Sequence, residues 1–152
     1  MISLLGVLSY ILQDNLQYGI LSCKVNPDVL ANLIGLAEFY QSQGRYSEAE
    51  SLHIQVLEQR KRLLGDDHPD VAISFNNLGF FYQSQGRYEE AEPLLIKALE
   101  LRKRLLGDDH PEVISYCSDL IQCYRDQGHE KEAEILLKRR VFDSLKPNQN
   151  KL

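Results

Sequence analysis

Between Pro69 and Gln83 the apolar residues Val71, Phe75, Leu78 and Tyr82 recur at spacings of three and four, with Ala72 and Gly79 beside them. That spacing gathers them into one stripe and predicts an amphipathic helix of roughly four turns. Pro69 suits the first helical turn, where its missing N–H is not needed. Gly86 can take the positive φ that ends such a helix. A second stripe runs from Tyr88, with Ala91, Leu94, Leu95, Ala98, Leu101 and Leu105 on its buried side. Gly107 stops it, and Asp108-Asp109-His110-Pro111 turns the chain onward. Small residues at Gly79 and Ala91 are expected to face each other and let the two backbones approach. Pro93, near the start of the second helix, is expected to bend it slightly without breaking it.

This two-helix pattern returns at a fixed interval. Phe39-Tyr40-Gln41-Ser42-Gln43-Gly44-Arg45-Tyr46 reappears unchanged 42 residues later, from Phe81 to Tyr88. Leu63-Leu64-Gly65-Asp66-Asp67-His68-Pro69 reappears at the same interval, from Leu105 to Pro111. Pro27, Pro69 and Pro111 open three units, and Gly44, Gly86 and Gly128 divide each in two. Periods of this size signal a stack in which each unit buries its apolar face against its neighbours. The expected organisation is a degenerate leading helix over 1–26, three helix hairpins over 27–68, 69–110 and 111–145, and a flexible tail over 146–152. The third unit departs from the pattern: Arg140 stands in the register of Ala98, Glu130 in that of Tyr88 and Ile121 in that of Gly79. Glu130, Lys131, Glu132, Lys138, Arg139 and Arg140 give it the polarity of a capping repeat.

Leu78-Gly79, Tyr82, Gly86, Tyr88, Ala91 and Ala98 resemble the tetratricopeptide repeat signature. The long second helix and the Leu-Gly-x-x-His-Pro junction resemble the longer variant of kinesin light chains. The resemblance covers Pro27 to about Leu145 and implies an all-α, right-handed superhelical solenoid of antiparallel helix hairpins. It also implies a concave face, lined by the first helix of each pair, that holds a peptide segment of a partner protein.

Composition adds limits. The chain has 152 residues, 43% hydrophobic and 26% charged, the balance of an ordinary soluble domain. A net charge of −5 supplies no global basic field for nucleic acid or an anionic membrane. The three cysteines have no metal-ligand spacing and read as reduced, mostly buried thiols of a cytoplasmic protein. The apolar start, with Asp14 inside it and no basic residue before Lys24, is too short to span a bilayer and lacks the basic leader of a signal peptide. A tether through Cys23 is the alternative there.

No catalytic constellation is present: there is no phosphate-cradling glycine loop, nucleophile motif or His-Glu-x-x-His zinc helix. The expectation is a protein that is not an enzyme and carries no cofactor or metal. Asp66-Asp67-His68 and its copy have metal-binding residue types, but their place between a glycine stop and a proline start favours a turn in which Asp caps the next helix. The basic runs Arg60-Lys61-Arg62 and Arg102-Lys103-Arg104 follow Glu58 and Glu100 at i,i+4 spacing, which predicts solvated helix faces with local ion pairs. His53, in the register of Leu95, reads as a core or interface residue.

By register, the inner strip implied by the resemblance holds Ile34, Glu38 and Gln41 from the first unit. The second contributes Asn76, Asn77, Phe80 and Gln83, and the third Ser118, Asp119, Gln122 and Arg125. Carboxamides suit an extended peptide because each can both donate to and accept from its backbone. Exchange of Asn76 and Asn77 for alanine is expected to weaken binding with the fold intact. Structural self-association of the stack, or its place in a larger array, is the alternative function.

Overall fold

The computed structural model describes residues 27–144, with side chains from Val29 to Arg139. The leading helix and Cys23 tether expected within 1–26, the tail expected over 146–152, and the side chain of Arg140 lie outside what is described. Among the described residues there are six helices and no strand: α1 (Pro27–Ser42), α2 (Tyr46–Leu64), α3 (Pro69–Gln83), α4 (Tyr88–Leu106), α5 (Pro111–Asp126) and α6 (Glu130–Ser144). Each helix packs on its neighbours in the chain, α3 most extensively on α4. This is the stack of antiparallel hairpins that the 42-residue period predicts.

The same turn closes every hairpin. Gly44, Gly86 and Gly128 take φ of 73°, 72° and 78°, a left-handed conformation that disfavours a side chain. This lets Arg45 N–H donate to Tyr40 O at 2.9 Å and Gly44 N–H to Gln41 O at 3.0 Å. Arg87 with Gly86, and His129 with Gly128, repeat both bonds. The pair of bonds satisfies the last carbonyls of the first helix, as a Schellman motif does.

At the junctions, the cap is the histidine and not the aspartates. His68 Nδ1 accepts from Asp70 N–H at 3.1 Å, and His110 Nδ1 from Glu112 N–H at 3.3 Å. The aspartates pair elsewhere: Asp66 reaches back to Lys61 and Asp108 to Lys103, while Asp67 meets Arg104 of the following repeat. An imidazole nitrogen spent on a backbone amide is tied to turn geometry in both junctions.

The core runs through the middle unit, where Val71, Leu78, Tyr82, Ala91, Leu95 and Leu101 are buried as the pattern predicts. Phe81, which the stripe omitted, is among the most buried large side chains, and Leu105, which it included, is exposed. The close approach at Gly79 is to Leu95 more than to Ala91. A Cβ at Gly79 would lie 2.7 Å from Leu95 Cδ2 and 3.5 Å from Ala91 O. Pro93 sits inside α4, which continues through it to Leu106.

The basic runs also differ from the expected solvated faces. Arg102 is 6% exposed, pairs with Glu112 at 2.8 Å and lies over the Tyr116 ring. Arg60 donates to Asp70 O and Ser74 Oγ in α3. Arg62 donates to Gln59, and Arg104 turns to Asp67, so neither predicted i,i+4 pair forms. Guanidinium groups with five donors are used here to join a second helix to the next repeat.

One polar joint between repeats carries particular geometry. Tyr82 donates its hydroxyl to Glu50 Oε1 at 2.8 Å, and Arg87 donates to Glu50 Oε2 at 2.7 Å while stacking 4.3 Å over the Tyr82 ring. Arg87 holds the Glu50 carboxyl below the usual range, and burial together with Glu50 pushes the Tyr82 hydroxyl up to about 12. One carboxylate of α2 thus locks the turn of the next hairpin.

Candidate protein-binding face

The first helices of the three hairpins stand side by side and are joined directly across repeats. Gln41 Nε2 donates to Ser84 Oγ at 3.2 Å, Asn76 Nδ2 to Asp119 Oδ2 at 3.3 Å, and Gln83 Nε2 to Asp126 Oδ2 at 2.6 Å. Each bond spans 43 residues, one more than the repeat. The register offset follows from parallel neighbours lying slightly displaced along their axes. The eleven residues assigned to the strip all lie on these three helices.

Their surroundings differ. Asn76 is buried, and its Oδ1 has no hydrogen-bond partner among the described residues; Gln83 Oε1 is in the same state. Burial pushes the Asp119 carboxyl above its usual value, and the bond from Asn76 opposes part of that shift. Asn76 therefore supports a half-buried carboxyl, so its exchange for alanine should cost some stability as well as any binding. Ile34, Gln41 and Asn77 are half-buried. Glu38, Ser118, Gln122 and Arg125 are exposed, and Phe80 keeps 41% of its surface. Ser118 donates to Ile114 O and Gln122 to Asp126 Oδ1, both along their own helix.

The register reading missed Ser84 and Asp126, the acceptors of two of the three cross-repeat bonds. Each is one residue past a position assigned to the strip, and the extra residue of offset is set by how the helices slide, which periodicity does not encode. Gln41, Glu38, Ser42 and Ser84 border a shallow depression that Tyr46 closes at the turn end. Beside it, His53 of α2 is buried against the Phe81 ring, with centroids 5.2 Å apart. Burial holds its imidazole below the ordinary value, opposed in part by Glu38.

A family model for the tetratricopeptide repeat matches residues 28–79 and 70–141. The chain belongs to the tetratricopeptide repeat family. Among solved structures, it is similar to a putative kinesin light chain from Podosopora anserina with nearly identical TPR-like repeats. The identity is 29% and the TM-score 0.70, over 84% of this chain and 60% of that one. A variant of that protein aligns at 28% identity and a TM-score of 0.65, over 76% of this chain and 55% of the other. BtubC (BKLC) from P. vanneervenii aligns at 25% identity and a TM-score of 0.68, over 84% of this chain and 53% of its own length. This tetratricopeptide repeat chain thus spans little more than half the length of those structures. No curated protein matches its sequence. Stacked repeats of this family are protein–protein interaction scaffolds. Among the described residues no helix is long and apolar enough to cross a membrane.

Proposed function

We propose that the chain binds an extended segment of a partner protein along the face formed by α1, α3 and α5. The observation that carries this reading is the division of labour on that face. One row of polar side chains is spent on cross-repeat bonds, which fix the spacing of the helices. Beside it Glu38, Phe80 and Gln122, at matching positions of the three repeats, are exposed. A preformed surface of this kind lowers the ordering cost of binding.

Charge narrows the segment. Glu38, Asp119 and Asp126 face a single cation of the strip, Arg125. A segment with a lysine or arginine near the third repeat, and an apolar side chain over Phe80, complements this face better than an acidic one. Asn77 can donate to and accept from its backbone.

Selection from a random peptide display library tests the reading. Recovered sequences are expected to carry a basic residue and an apolar residue. Their affinity for the Asn77→Ala, Phe80→Ala, Gln122→Ala triple variant should be at least about tenfold weaker, with an unchanged helical spectrum. Selected peptides that bind the triple variant as well as the parent would remove the proposal.

A further inference from the structure

At each internal junction, a first helix receives the second helix of the preceding hairpin. The receiving side of α3 is closed: Val71, Leu78 and Phe81 retain 0%, 4% and 2% exposure. The matching residues of α1, Val29, Leu36 and Phe39, retain 46%, 39% and 56%. The polar part of this side is nonetheless assembled. Arg45 stacks 4.2 Å over the Tyr40 ring, as Arg87 does over Tyr82, and holds Glu48 of its own helix as Arg87 holds Glu90. What differs is the carboxylate from a preceding repeat, which Glu50 supplies to Tyr82 and Arg87.

The chain carries a matching donor at its other end. Ala49-Glu50, Ala91-Glu92 and Ala133-Glu134 occupy one register position in α2, α4 and α6. Glu50 and Glu92 meet the tyrosine of the next hairpin, Tyr82 and Tyr124. Glu134 lies on the last described helix, its side chain 63% exposed and, among the described residues, paired with Lys138 of its own helix at 2.7 Å. Leu137 follows it by three residues, as Leu95 follows Glu92. In the sequence before Pro27, Leu8 stands in the register of Glu50 and Asp14 is the single acid.

We propose that the open side of the first hairpin receives α6 of a second copy of this chain, with Glu134 of that copy held between Tyr40 and Arg45 as Glu50 is held between Tyr82 and Arg87. The contact is head-to-tail and reproduces a joint already built inside each molecule. Arg45 keeps Glu48 while it takes the second carboxylate, as Arg87 keeps Glu90, and Glu134 exchanges Lys138 for Arg45. Val29, Leu36 and Phe39 lose their exposure beneath the incoming helix. A heterologous contact of this kind leaves one free end of each type, so association is open-ended.

Sedimentation velocity of the whole chain, from micromolar to near-millimolar concentration, is the test. The mean size of the parent should rise with concentration, and Arg45→Gln or Glu134→Gln should each weaken association about tenfold. Arg45→Glu and Glu134→Arg chains should each be monomeric alone, because each has lost one end of the contact. Mixed in equal amounts they should associate again, at least through the two intact ends. A parent that stays monomeric, variants that associate like the parent, or a mixture that does not pair overturns the proposal. So does a monomeric parent that begins to associate once residues 1–26 are removed, which would assign the face to the chain's own leading segment.

Discussion

Phe39 and Phe81 head the same eight-residue block in the first and second hairpins, yet one keeps 56% of its surface and the other 2%. Tyr40 and Arg45 stack as Tyr82 and Arg87 do, but among the described residues only the second pair closes on a carboxylate from another repeat. The difference lies outside the hairpins. Intrinsic preferences set the helices and turns alike in both, whereas burial depends on whether a second helix arrives to cover the first. In a stack, stability accumulates at interfaces between neighbours, so equal sequences carry unequal energetic weight.

Truncating the two phenylalanines probes this most strongly. Phe81→Ala should cost about 3–5 kcal/mol, because it opens a cavity beside His53 and Tyr82. Phe39→Ala in the same register should cost less than about 1 kcal/mol. Paired denaturant titrations read the contrast, and similar losses at the two sites would show that the first hairpin is covered in solution.

A smaller effect separates the two glutamates held by these turns. Glu50→Ala removes the acceptor of both Tyr82 and Arg87 at a partly buried junction and should destabilise by about 1 kcal/mol. Glu48→Ala, which removes only a local pair with Arg45, should leave the melting temperature unchanged. If the two variants melt alike, the joint between repeats contributes no more than a surface ion pair.

The smallest expected effect is a pH slope. Burial keeps the His53 imidazole below its ordinary 6.5 in the folded chain, so the unfolded chain binds more protons just below that pH. Stability from this residue is complete above the ordinary value and is lost as pH falls beneath it. His53→Leu, the residue of the second repeat at this position, should flatten the fall in melting temperature between neutral pH and pH about 5, above the usual carboxylate range. Equal slopes for parent and variant would mean that His53 is not buried in its neutral form.

Much of the architecture was legible because helix and turn signals are local. Spacings of three and four located the helices, and three glycines located turns that close with the same pair of bonds. Errors arose wherever a residue answered to another repeat. Arg102 and Arg60 read as surface charges because i,i+4 spacing sees only one helix, yet they join the next hairpin. Phe81 fell outside its helix's own stripe because a second face of α3 is covered by α2. On the candidate binding face, register placed the strip on three helices that bond across repeats, while Ser84 and Asp126, which accept two of those bonds, stood one residue beyond it.

The sequence alone determined the repeat length, the helices, the turns and their order, since each follows from short-range sterics and hydrogen bonding within about 20 residues. Only the tertiary structure decided which of two identical side chains is buried, which arginines join repeats, and which strip residues are consumed in holding the helices together. Those outcomes depend on the axial slide and tilt of one hairpin upon the next. That slide is set by the fit of whole side-chain surfaces, and no single position in the chain encodes it.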